Sequence, residues 1–429
     1  MRRDSGCDIF LPPATHPGAA PCTGCVKMTD VPVHGSPRSR AVDVLRGLTI
    51  MWITAFHFYA DTRGGPGPLT SSMFTRALEQ MDPWSMMDMT ARTLIALPSY
   101  RLDVFLAVTG LVLALSRPVP AIAFWRVRAR AIFPNYWCGS IAAALLLVGL
   151  ALLRSSVRGT APALEISDGT LLGRGLYHFE WVDVVRSLSV VGRLQDTRTM
   201  QVVAPSLWYV LLAMQLYLVF PLLRWLMNRL GRWLFLGICL ATMCLARQYV
   251  LNGGWLWPGF GASGTLIYFL PFRLLGPALG MVAATWVRPA GLQPSRSLSV
   301  ALFGPAVALV LWTTWYGADS ARDGIFGTAL PLVLGLPALW TIASGLLHVP
   351  SGAAIITWIG RHSLSVLVVQ DLLRLITGTT IALWGRLDAL TWYLLPFYLV
   401  AVVALTPLWH AVPEAAAALV GWHRERTGR

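Results

Sequence analysis

The chain has 429 residues, 55% of them hydrophobic and only 13% charged, with a mean hydropathy of +0.60, whereas a soluble globular chain carries roughly 25% charged residues. This balance excludes a disordered chain, a coiled coil and a disulfide-rich secreted domain, and predicts an integral membrane protein. The net charge of +14 does not indicate nucleic-acid binding: the 34 basic residues, all Arg except Lys27, collect between apolar runs, and no Asp or Glu occurs from Val104 to Leu164 or from Thr197 to Ala318, which is the positive-inside pattern of cytoplasmic loops.

Residues 1–38 are rich in Pro, Gly and small residues and lack the uninterrupted apolar stretch of a signal peptide, so a disordered cytoplasmic tail is expected. Met28 begins a shorter, ordinary-looking leader into Arg38 and Arg40, which suggests that translation starts there. Cys22 and Cys25 form a lone CxxC, without the second pair or paired histidines that a zinc site needs, and no metal is expected.

A spanning helix takes about 20 apolar residues. Runs of that kind lie at 44–60, 102–116, 136–153, 203–223, 233–250, 264–286, 298–316, 328–347, 362–384 and 391–411. They predict an all-α, polytopic transmembrane bundle of about ten helices over residues 39–411, followed by a basic cytoplasmic tail, 412–429. With the N-terminus inside, the inner connections hold Arg117, Arg126, Arg128 and Arg130, then Arg224, Arg229 and Arg232, then Arg288 and Arg296, then Arg361. The short outer connections hold only Arg247, Arg322 and Arg386, so both termini are placed in the cytoplasm and the chain in the cell membrane. Two outer segments are long. Residues 61–100 carry a Gly/Pro turn and a Met-rich amphipathic stretch that lies along the membrane or caps a cavity; residues 154–202 mix Glu165, Asp168, His178, Glu180, Asp183 and Asp196 with Arg residues. Solvation of the loop accounts for His178, Glu180 and Asp183 more simply than sugar binding does.

The first span carries the chemistry. Arg46 and His57 are eleven residues apart, ~1,100° of helical rotation, so they share a face about three turns apart. Asp43, three residues before Arg46, can hold its guanidinium. Ionisable groups within a span are costly and imply function, and an imidazole can accept and return a proton at neutral pH.

Arg46, ten residues, then His57, with Asp43 shortly before, resembles the R-x10-H motif of the acyltransferase 3 family of integral-membrane acyltransferases. The resemblance runs over roughly residues 38–411. Leu102-Asp103-Val104-Phe105 through Thr109-Gly110 is similar to the family's second-span signature, with Thr109 in a Ser place. The run from Arg126 through Arg130 to Pro134 and Tyr136 resembles its basic stretch before the third span. Ser206-Leu207-Trp208-Tyr209 with Tyr217 and Phe220-Pro221 resembles its fourth-span pattern, Pro271-Phe272 with Gly276 its Pro-Phe-Gly segment, and Gly360 with Ser363 and Ser365 the opening of its ninth span. Gln370 departs from the pattern, since many members carry His there, and no catalytic role is assigned to it.

The resemblance implies transfer of an acyl group, often acetyl, from cytoplasmic acyl-CoA, a co-substrate and not a bound cofactor, to a hydroxyl of a sugar, glycolipid, cell-wall polymer or natural product. His57 would act as general base and Arg46 would position the donor or stabilise the oxyanion. Arg126, Arg128 and Arg130 are either binders of the CoA phosphates or topology determinants only. Trp208 and Tyr217 are candidates for acceptor stacking, although such aromatics also populate interfacial belts and cores. Asp371 and Arg374 can neutralise each other or line a channel, and Arg273 pairs with an acid elsewhere or lines the donor path. Two alternatives stay open: N-acetylation of a glucosamine-type amine, and a proton-coupled transporter or flippase. Against the latter, no second copy of the Asp43–His57 pattern appears in the C-terminal half.

Overall fold

The computed structural model describes residues 37–63, 100–159, 161–162, 165–168, 175–178, 180–195, 205–254, 268–290, 330–384 and 390–419, with a few isolated positions besides. Most of the tail 1–38, most of the segment 61–100 and nearly all of the apolar run 298–316 lie outside them. The helices are α1 (Pro37–Arg63), α2 (Tyr100–Leu115), α3 (Ala121–Arg158), α4 (Trp181–Ser187), α5 (Val190–Arg193), α6 (Trp208–Leu230), α7 (Arg232–Leu251), α8 (Leu275–Ala290), α9 (Leu330–Leu346), α10 (Pro350–Arg361), α11 (Ser363–Trp384) and α12 (Thr391–Leu419). Among the described residues α1, α3, α6, α7, α11 and α12 are long and apolar enough to cross a membrane, while α2, α8 and α9 contain shorter apolar stretches. The protein is a multi-pass membrane protein, mostly helical among the described residues.

Its boundaries differ from the sequence expectation in four places. The third span is the inner part of a 38-residue helix, α3, which starts at Ala121 and carries Arg126, Arg128 and Arg130 on helix instead of loop; Ala and Arg are good helix formers and nothing before Pro134 interrupts them. A separate helix, α10, opens with Pro350 at its first turn, where proline costs no hydrogen bond. The apolar run at 264–286 is broken by the 3-10 turn Leu270–Arg273, which contains Pro271, before α8 begins. Residues 412–419, expected as tail, continue α12.

The segment 154–202 holds the described strands, Glu165–Asp168 (β1) and Gly175–His178 (β2), paired antiparallel with Glu165 opposite His178. Beyond them, the Glu180 amide donates to Asp183 Oδ2 at 3.1 Å, capping α4. Asp183 is therefore a buried helix cap and not a solvated loop acid. Arg193 anchors this segment to α3. Fully buried, it donates through Nε to the Ser187 carbonyl at 2.8 Å, lies 5.7 Å from the Tyr136 ring centroid, and reaches Ser140 Oγ at 3.4 Å.

In a bilayer, helices gain little by hiding apolar surface from lipid, so close approach of small residues and polar contacts decide which helices pair. Two such seams organise the bundle. A Cβ added at Gly110 would collide with the Pro277 carbonyl, and one at Gly280 with the Ala107 carbonyl, so α2 and α8 meet backbone to backbone. Likewise Gly47 of α1 faces the Ile356 carbonyl, and Gly360 of α10 faces the Asp43 carbonyl. Around these seams α1 packs against α2, α9, α10, α11 and α12. The burial is uneven: 61% of the apolar window is buried in both α1 and α11 but only 22% in α7 and α12. Among the six long helices α1 and α11 are thus the most enclosed, and the polar site sits between them.

Candidate active site between α1 and α11

Four polar contacts join α1 to the chain around α11, in ascending order along both. Arg361 Nε donates to Asp43 Oδ2 at 3.0 Å. Arg46 Nη2 donates to Ser363 Oγ at 3.1 Å. Thr54 Oγ1 donates to Gln370 Oε1 at 2.6 Å. Arg374 forks onto Asp61, Nε to Oδ2 at 2.7 Å and Nη2 to Oδ1 at 2.9 Å. Because the partners advance together, α1 and α11 run parallel. Asp43 thus finds its cation on the neighbouring helix α10, and not in Arg46 as the i,i+3 spacing suggested; the close approach of Gly360 to the Asp43 carbonyl brings Arg361, the last residue of α10, to it, and Arg46 turns to Ser363 instead.

His57 is buried, with 7% of its surface exposed. It lies three residues after Thr54 and four before Asp61, offsets that keep all three on one helical face. This is the face that meets Gln370 and Arg374. Both of those residues converge on one atom beyond α11: Gln370 Nε2 and Arg374 Nη1 each donate to Ser206 Oγ at 3.1 Å. The Ser206 amide in turn donates to both carboxylate oxygens of Asp371, at 3.0 and 2.9 Å. The contacts close a ring, Thr54, Gln370, Ser206, Arg374, Asp61 and back along α1 past His57.

Asp371 and Arg374 form the i,i+3 pair anticipated from their spacing, at 3.7 Å. The stronger partner, Asp61, is invisible to local spacing. Arg273 does meet an acid elsewhere, Asp103 at 2.9 Å, and that pair ties the 3-10 turn before α8 to α2. Every group in the ring is nearly excluded from solvent; Gln370 and Asp371 are fully buried. Hydrogen-bonded polar groups of this kind are costly to leave half-satisfied, and their partners fix the geometry of whatever lies between them.

The remaining candidates are dispersed. Arg126 and Arg130 are exposed on α3, while Arg128 is half-buried beside two rings, 5.4 Å from the Phe124 centroid and 5.5 Å from that of Tyr217. Tyr217 therefore belongs with the basic end of α3. Trp208 lies nine residues earlier on α6, edge-on to Tyr268 with centroids 5.1 Å apart, so the structure does not bring Trp208 and Tyr217 to one place. Tyr209 meets Phe105 edge-on at 4.7 Å and Thr109 Oγ1 at 3.3 Å. Sequence reasoning missed Asp61 and Thr54, although an acid and a hydroxyl at helical offsets from His57 could have been found by extending the R-x10-H face by one turn.

In a multi-pass membrane protein, ionisable residues buried among the helices are costly, and the His57, Asp61 and Arg374 cluster between α1 and α11 is the candidate site on that ground. The chain belongs to the acyltransferase 3 family, whose acyltransferase domain matches residues 39–409. No curated protein and no solved structure matches it. The family match extends from α1 into α12, so all four contacts between α1 and the α10–α11 region lie inside the acyltransferase domain.

Proposed function

We propose that this membrane acyltransferase moves an acyl group, acetyl in the simplest case, from cytoplasmic acyl-CoA to a hydroxyl of a glycan, lipid or natural product. The observation that carries this reading is the setting of His57: buried on the inner face of α1, one turn from each of two polar contacts to α11. The His57 imidazole takes the proton of the acceptor hydroxyl as its oxygen attacks the thioester carbonyl. A tetrahedral centre forms, the C–S bond breaks, and the proton passes to the leaving thiolate, giving an ester and free CoA. Arg46, held by Ser363, supplies positive charge for the oxyanion or the donor in a water-poor setting, where such charge acts most strongly. Asp43 serves this arrangement indirectly, by fixing the start of α1 to Arg361. Arg126, Arg128 and Arg130 receive the CoA phosphates at the cytoplasmic end of α3, with Tyr217 beside Arg128.

The test is thiol release from acetyl-CoA by the full-length protein in lipid nanodiscs, with His57→Ala and Arg46→Ala alongside. Both variants are expected to lose at least about 100-fold in turnover, the lower end of the range for a general base. Undiminished release by His57→Ala would refute the base. Solute flux across vesicles without donor consumption would move the protein to the transporter class.

A further inference from the structure

We propose that the ring of Thr54, Gln370, Ser206, Arg374 and Asp61 positions His57 for proton transfer, with Gln370 as the positioning residue that completes it. This rests on the reading of His57 as the base.

The argument is mechanical. Of the contacts that pin α1 to α11, two flank His57, one a turn before it and one a turn after, about 10 Å apart along the helix. Losing either one leaves the segment of α1 around His57 held to α11 on one side only. Together they fix both its rotation and its height, because Gln370 and Arg374 are keyed to the same Ser206 oxygen. Ser206 is held from its other side by Asp371, on the same helix as Gln370 and Arg374. The main-chain carbonyl of Gln370 also accepts from Tyr398 Oη at 3.1 Å, so α12 backs the same turn of α11. Gln370 thus bridges three elements at the height of His57: α1 through Thr54, the start of α6 through Ser206, and α12 through its own carbonyl. A neutral amide suits this place because one end accepts from Thr54 while the other donates to Ser206.

Misplacing a reacting group by about 1 Å can cost on the order of 100-fold in rate. The experiment uses substitutions that keep shape while deleting the polar link: Thr54→Val and Gln370→Leu in the full-length protein, assayed by thiol release from acetyl-CoA in nanodiscs. Each is expected to lower kcat about tenfold with KM for acetyl-CoA unchanged, and Thr54→Ser, which restores the hydroxyl, is expected to restore kcat. Thr406→Val is the control. It deletes an equally buried hydroxyl, one bonded to the carbonyl of Val402 within α12, and is expected to keep wild-type kcat.

The proposal is overturned if Thr54→Val and Gln370→Leu both stay within twofold of wild-type kcat, if KM rises in place of a kcat loss, or if Thr406→Val loses as much as they do. An inactive His57→Ala beside fully active Thr54→Val and Gln370→Leu would overturn the positioning role alone. A fully active His57→Ala would instead overturn the base on which it rests.

Discussion

Arg374 illustrates how much one side chain can hold. Its guanidinium gives two hydrogen bonds to Asp61 and one to Ser206, and lies 3.7 Å from Asp371, with only 5% of the side chain exposed. Removing one partner of such a pair strands the other charge, at a cost of about 3–5 kcal/mol, whereas replacing both by apolar groups is far milder. Arg374→Met is therefore expected to lower the melting temperature of the detergent-solubilised protein sharply, and Asp61→Leu added to it to recover part of the loss; a further fall in the double variant would count against the pairing. At this scale the sequence exposes Asp43, Arg46 and His57, because ionisable groups are scarce in apolar runs. It does not expose their partners. An i,i+3 spacing offered Arg46 to Asp43, yet Arg361 takes the carboxylate, since a partner brought by tertiary packing leaves no trace in local spacing.

Helix pairing explains why glycines sit where they do. The α2–α8 seam depends on Gly110 and Gly280, each facing a carbonyl of the other helix with no room for a Cβ. Gly280→Val must push the helices apart and drag the Asp103–Arg273 pair with them, at a cost of about 1–3 kcal/mol for overpacking. Thermal melting and the yield of folded protein check this, and an unchanged melting temperature would show that the seam yields freely. For comparison, Gly237→Val on α7 has open space around its Cβ position and is expected to be tolerated. Most spanning elements were legible as apolar runs. The less legible parts are those where hydropathy and helix ends disagree: α3 extends through a basic stretch that reads as loop, and α10 is a 12-residue helix too short to register as a span.

For the molecule as a whole, the parallel course of α1 and α11 constrains topology. An odd number of crossings must separate two parallel spans, and the described helices between them include three of spanning length, α3, α6 and α7, and three shorter apolar ones, α2, α8 and α9. The sequence expectation of a span at 298–316, which lies almost wholly outside the described residues, makes the number odd and agrees with the Arg distribution. Cysteines introduced near Ser297 and near Asp323 are therefore expected to react with impermeant reagents from opposite sides of the membrane; labelling from one side would break the parity. Membership of the family and the multi-pass character were both readable from sequence, the first from ordered short motifs and the second from composition. The polar ring was not, because it joins distant parts of the chain. That distance has a consequence for biogenesis. Asp43, Arg46, Thr54 and Asp61 find their partners 313 to 318 residues later, and at about 5–20 residues per second a ribosome needs on the order of 15–60 s to make that stretch. For that interval the first helix stands in the growing chain without these native partners, until the ninth apolar run is made.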